Sequence, residues 1–192
     1  MKRITAAIFS ITVLLIILIT GTVSADTPQF TWGMSESEVA GLMGRKGTVD
    51  TKSSLGSKLV RYNNQRISDF DATLTFAFRN DALFSRIYAI QSDPNKSKYN
   101  YLAEALEIKY GTPVNSKELV TSYFAVLGTE VTDSTLNTMI TGGMLDYKTW
   151  EVDSNNCIAL VYLKTSGGSG VAICYLQPTD QVEQKTYNMD GL

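Results

Sequence analysis

An α+β fold built on an antiparallel sheet follows from three features of the chain. Residues 72–79 and 82–90 are strand-like runs rich in apolar residues, joined by Asn80-Asp81, a pair suited to a two-residue hairpin turn. Tyr99, Leu102, Ala103, Leu106 and Tyr110 recur at helical spacing and make one apolar stripe. Residues 157–163 and 171–176 are largely apolar on both faces, as in strands that are central or covered on both sides. Together they predict an antiparallel sheet with helices packed on one face.

The chain opens on Lys2 and Arg3, an apolar run from Ile4 to Ile19, and Val23-Ser24-Ala25. This is the pattern of a secretory signal peptide, with cleavage expected between Ala25 and Asp26. An uncleaved membrane anchor is the rival reading. Lipid attachment at that point would need a cysteine there, and the chain's two cysteines are Cys157 and Cys174. Removing 25 of the 192 residues leaves 167, enough for one domain burying about 70% of its unfolded surface. The leader takes two of the 17 basic residues and none of the 19 acidic ones, so the mature net charge is −4. Nothing in that balance attracts nucleic acid or an anionic membrane.

In the mature chain, residues 26–32 read as an extended lead-in or edge strand. Met34 to Gly44 is a short helix with its boundaries written in: Ser35 and Glu38 form a capping box, Met34 staples onto Val39, and Gly44 ends it. Residues 45–57 read as loop and 58–62 as a short strand. In the hairpin that follows, pairing Arg79 with Ala82 and Phe78 with Leu83 puts Leu74, Phe76, Phe78, Leu83 and Ile87 on the core face. The other face then carries Thr73, Thr75, Arg79, Phe84, Arg86 and Tyr88. Ser97 opens the helix that Gly111 and Pro113 close. Asn115 with Glu118 caps a helix presenting Leu119, Val120, Tyr123, Phe124 and Leu127, and Thr132 or Asp133 starts another through Leu136, Met139 and Ile140. Strand chemistry returns at 147–152 and in the cysteine hairpin, and the tail after Pro178 is polar.

Centring the last hairpin's turn on Gly167-Gly168 puts Val161 opposite Cys174 and Pro178 opposite Cys157. The sulfurs then lie four residues apart, about 13 Å, too far for a disulfide, so two buried free thiols are expected. The two halves also read alike: a helix closed by Gly44 or Gly111, a strand carrying Tyr62 or Trp150, then a hairpin. A tandem helix-plus-three-strands repeat is the resulting expectation, with a helical insertion at about 115–143. A single α+β domain would thus span residues 26–178, followed by a polar tail at 179–192.

Several residues carry a resemblance. The start Phe30-x-Trp32-Gly33-Met34-Ser35-x-x-Glu38-Val39, the helix end Leu106-x-x-Lys109-Tyr110-Gly111-x-Pro113, Trp150 and Ile158-Ala159-Leu160 resemble a family of small exported bacterial proteins. More distantly, the tandem layout resembles the β-lactamase inhibitor protein and the small outer-membrane assembly lipoproteins, which are binding modules without catalysis. This chain departs from them in its long insertion and in lacking a lipid-bearing cysteine. The matching residues cap helices and fill cores, so the resemblance implies a fold and carries no functional residue across.

Chemistry is constrained mainly by what is missing. There is no histidine, the usual base for serine or cysteine nucleophiles and the commonest zinc ligand. No mature-chain lysine has serine three residues before it, which removes that serine/lysine dyad. Asp69-Phe70-Asp71 and Asp153-Ser154-Asn155 start like calcium loops but lack the glycine and distal glutamate, and read as turns. Gly167-Gly168-Ser169-Gly170 joins two strands and opens no helix, so it makes no phosphate cradle.

No metal or other cofactor is therefore expected. A carboxylate-dependent hydrolase of the cell envelope, glycosidase-like, would draw on Glu104, Glu107, Glu118, Glu130 and Glu151, and is the alternative function. The preferred reading is an exported, non-catalytic binding or envelope-associated module. Its partner would be another envelope or secreted protein, and its surface the sheet face bearing Arg79, Phe84, Arg86 and Tyr88. If the insertion covers that face, Phe84 and Tyr88 become core. A scaffold would instead use the Tyr123, Phe124 and Leu127 stripe.

Overall fold

The computed structural model describes residues 30–50 and 57–177. The leader and its cleavage point, the lead-in up to residue 29, residues 51–56 and the tail from residue 178 lie outside the described residues.

The described chain forms α1 (Glu36–Leu42), β1 (Thr48–Asp50), β2 (Lys58–Ile67), β3 (Phe70–Arg79), β4 (Ala82–Ser92), α2 (Ser97–Tyr110), α3 (Lys117–Val126), α4 (Asp133–Thr141), β5 (Leu145–Asp153), β6 (Asn156–Thr165) and β7 (Gly168–Leu176). The strands make one antiparallel sheet in the order β1-β2-β3-β4-β7-β6-β5. This is an α+β fold. The first half runs from α1 into the four strands β1–β4, the second from α2, α3 and α4 into β5–β7, and the halves meet where β4 pairs with β7. The loop expected over 45–57 contains the short strand β1, which pairs with β2 through Val49 and Val60.

Local chemistry sets the helix boundaries. The Glu38 amide donates to Ser35 Oγ at 3.3 Å, and Glu38 Oε2 accepts from the Ser35 amide at 2.8 Å, closing the capping box. Gly33, at φ +85°, turns the chain so that its amide donates to the Leu83 carbonyl, while Leu83 N donates to Met34 O. At α2 the cap differs from expectation. Lys96 is the left-handed N-cap and its side chain makes no capping bond, and Asp93 accepts from the Ser97 amide and hydroxyl. At α3 the cap is Ser116 rather than Asn115, which has φ +55°; at α4 it is Thr132.

The sheet is buried on both sides. On one face Val39 of α1 and Tyr99, Leu102, Ala103 and Leu106 of α2 pack with Val60, Leu74, Phe76, Ile158, Leu160 and Ile173. On the other, Val120, Tyr123, Phe124 and Val126 of α3 and Leu136 of α4 pack with Leu59, Ala77, Phe84, Ala159, Val161 and Cys174. Helices α1 and α2 therefore share one face, and α3 and α4 cover the opposite one. Ser116 N donates to Thr149 Oγ1 at 2.7 Å and Trp150 Nε1 to Gly111 O at 2.8 Å, tying the start of the insertion and the end of α2 to β5.

Two registers differ from those expected. In the first hairpin Asn80 and Asp81 both take positive φ and pair Arg79 with Ala82 and Phe78 with Leu83, but Ala77 then pairs with Ser85, leaving Phe84 as a bulge. The backbone polar groups there have other partners: Leu83 bonds to residues 33 and 34, and Phe84 O accepts from Gln177 N at 3.0 Å. Beyond the bulge every side chain changes face. Arg86 lies opposite Phe76 and Tyr88 opposite Leu74, while Ile87 joins the insertion side. In the last hairpin Thr165 pairs with Gly168, so the turn is Ser166-Gly167, one residue earlier than expected. Cys157 then faces Leu176 and Cys174 faces Ala159, a diagonal offset of two residues rather than four. Both cysteines are buried free thiols.

Candidate binding site around Arg86

The bulge divides the four expected site residues between the two faces. Arg79 and Phe84 stay together on the insertion side, with the guanidinium 4.8 Å from the ring centroid and Phe84 buried in the α3 and α4 cluster. Arg86 and Tyr88 move to the α1 and α2 side, where Tyr88 is buried. The single open aromatic face expected from the sequence does not form. Arg79 and Phe84 have become packing.

Arg86 gains a different setting. Sheet pairing places it between Phe76 on β3 and Tyr175 on β7, and Tyr175 is followed across the sheet by Ile158 and Trp150. To one side lies α1, anchored over β2 by Lys58 on Glu36 and by Arg45 donating to Asn63 O at 2.7 Å. To the other lies α2, held by Lys148 on Glu107 and by Tyr99 donating to Asp146 at 3.2 Å. Trp32 reaches from the start of α1 to β6, where its Nε1 donates to Asn156 Oδ1 at 2.9 Å. The Arg86 guanidinium carbon lies 4.4 Å from the Tyr175 ring centroid and 6.0 Å from that of Trp32. Tyr88 meets Tyr175 edge-on at 6.3 Å.

The electrostatics fit a cation held among rings. Burial pushes the Tyr175 hydroxyl up to about 12, reinforced by Tyr110 and opposed by Arg86. Burial also raises Tyr88, again opposed by Arg86. Among the described residues no carboxylate pairs with Arg86, and its Nε is buried without an acceptor. A buried donor left unmet costs about 1–3 kcal/mol, while cation–π contact returns about 0.5–2 kcal/mol. The cost and the return are of similar size, and the arrangement holds Trp32, Tyr175 and the Arg86 guanidinium together beside partly exposed surface.

Other candidate chemistry is engaged elsewhere. Glu107 is paired with Lys148, and Glu118 is held below its ordinary value by its own backbone amide and the Ser116 hydroxyl. Glu104, Glu130 and Glu151 are exposed. Among the described residues no three His, Cys, Asp or Glu side chains group as a metal site, and no helix is long and apolar enough to cross a membrane. A hollow of about 470 Å³ lies between Tyr123 and the β6–β7 turn, lined by Ala89, Gln91, Leu163 and Gly168 among others. It contains no ionisable side chain besides the tyrosine.

Sequence reasoning missed Trp32 and Tyr175 as site residues. The available signal was Trp32 beside the conformationally special Gly33, but its meaning depends on the Arg86 face, which only the bulge decides. Comparison with protein-family models, with curated proteins and with solved structures returned no match.

Proposed function

We propose that this chain is an exported, non-catalytic binding module that engages another envelope or secreted protein through the surface around Arg86, Trp32 and Tyr175. The leader sequence supports export. The observation that supports binding most strongly is an arginine kept among aromatic rings with no acid among the described residues to meet it, although desolvating such a group is costly. Arginine, tryptophan and tyrosine are also the side chains that dominate interface energetics.

The test is affinity capture from the envelope of the producing cell, comparing wild type with Arg86→Gln and Arg79→Gln. A partner retained by wild type and Arg79→Gln but lost with Arg86→Gln is the expected result. Equal capture by all three proteins, or none by any, contradicts the proposal.

A further inference from the structure

Stacking occupies the faces of a guanidinium, whereas its N–H donors point outward in its plane. At Arg86 the guanidinium carbon lies 4.4 Å from the Tyr175 ring centroid and 6.0 Å from that of Trp32, and among the described residues the buried Nε donor has no acceptor. Since Nε is buried out of reach of an outside ligand, the open valence of the site is the outward fork of terminal nitrogens, which bond to no described residue. We infer that this fork receives a single carboxylate presented by a polypeptide, with an aromatic or aliphatic group beside it. The inference rests on the binding-module reading above and names the chemistry of what is bound.

Three observations select a carboxylate among anions. A planar acceptor with two oxygens matches the arginine fork through two parallel hydrogen bonds. Among the described residues Arg86 is the one cation over the Trp32 and Tyr175 rings: Lys58, Lys96 and Lys148 are committed to Glu36, Asp146 and Glu107, and Lys109 rests on the Tyr110 ring at 5.0 Å. A phosphate dianion or a nucleic-acid backbone calls for several cations together, and the chain's net charge of −2 repels polyanions. Finally, Trp32 and Tyr175 are both partly exposed beside the guanidinium, so the group adjoining a bound carboxylate has aromatic surface to cover.

The test is titration of the exported form of the chain, following the Trp32 indole N–H resonance. The probes are N-acetylphenylalanine, its carboxamide, a capped Phe-Glu peptide amide, its Phe-Gln counterpart, and inorganic phosphate. Saturable shifts with the two acids, at least tenfold tighter than with the matched amides, are expected. Arg86→Gln should abolish the discrimination, and Arg86→Lys, which keeps the charge without the fork, should lose most of it. The tighter of the two acids identifies the source as a chain terminus or an acidic side chain. Equal binding of acid and amide, tighter binding of phosphate, discrimination that survives in Arg86→Gln, or no saturable shift overturns the assignment. If one of these occurs while partner capture still depends on Arg86, the carboxylate falls and the binding module stands. If Arg86→Gln captures partners like wild type, the module reading falls with it.

Discussion

Single side chains decide how this molecule responds to acid. Glu38 is held below its ordinary 4.5 by the Ser35 amide and hydroxyl, and Asp93 below 3.8 by the Ser97 hydroxyl and amide. Both carboxyls titrate lower folded than unfolded, so their stabilisation is complete above the ordinary values and is lost as pH falls through the lower folded ones. Thermal unfolding between pH 6 and pH 2.5 should therefore show a steeper acid loss in wild type than in Glu38→Gln plus Asp93→Asn; superimposable curves would remove the caps from the account. Cys174 behaves oppositely: burial pushes its thiol up to about 12, and burial also raises Cys157. A thiol reagent at pH 8 should label neither quickly in the folded protein and both after unfolding. Gly33 has a positive φ that a Cβ strains by about 1–2 kcal/mol. Gly33→Ala should consequently lower stability by that amount and perturb Trp32 fluorescence.

Elements were legible where one local rule governed them. The capping box of α1, the Asn80-Asp81 turn and the α2 stripe all depend on neighbours in sequence, and each formed where the spacing put it. The faces of β4 were not legible, because Phe84 bulges in response to distant partners, Gly33, Met34 and Gln177, that no local window contains. One inserted residue was enough to move Arg86 and Tyr88 to the other side of the sheet. The final turn failed for a related reason: two adjacent glycines permit either centring, and pairing along β6 and β7 selects Ser166-Gly167. The insertion is an integral layer, since Leu136 is fully buried against the sheet. Leu136→Ala should cost about 2–5 kcal/mol in denaturant unfolding, as core leucine truncations do. A cost under 0.5 kcal/mol would mean that α4 only rests on the surface.

At the scale of the molecule, the β4–β7 pairing makes one sheet from the two halves, and both cores cross that seam. Trp32 precedes α1 in the first half but docks on β6 across the seam through Asn156, and Trp150 lies on β5 in the second half. With the other tryptophan replaced by phenylalanine, their denaturation midpoints should coincide with each other and with far-ultraviolet circular dichroism. What the whole fold adds to the sequence is the meeting of Trp32, Arg86 and Tyr175, drawn from three separated stretches. The claim that this arginine serves binding rather than folding is tested most directly by Arg86→Met, which keeps the bulk and removes the charge and the unmet donor. The melting temperature should stay within about 4 °C of wild type or rise, given about 2–4 °C per kcal/mol at this size, while partner capture disappears. A fall of 8 °C or more, or capture that survives the substitution, would contradict the account.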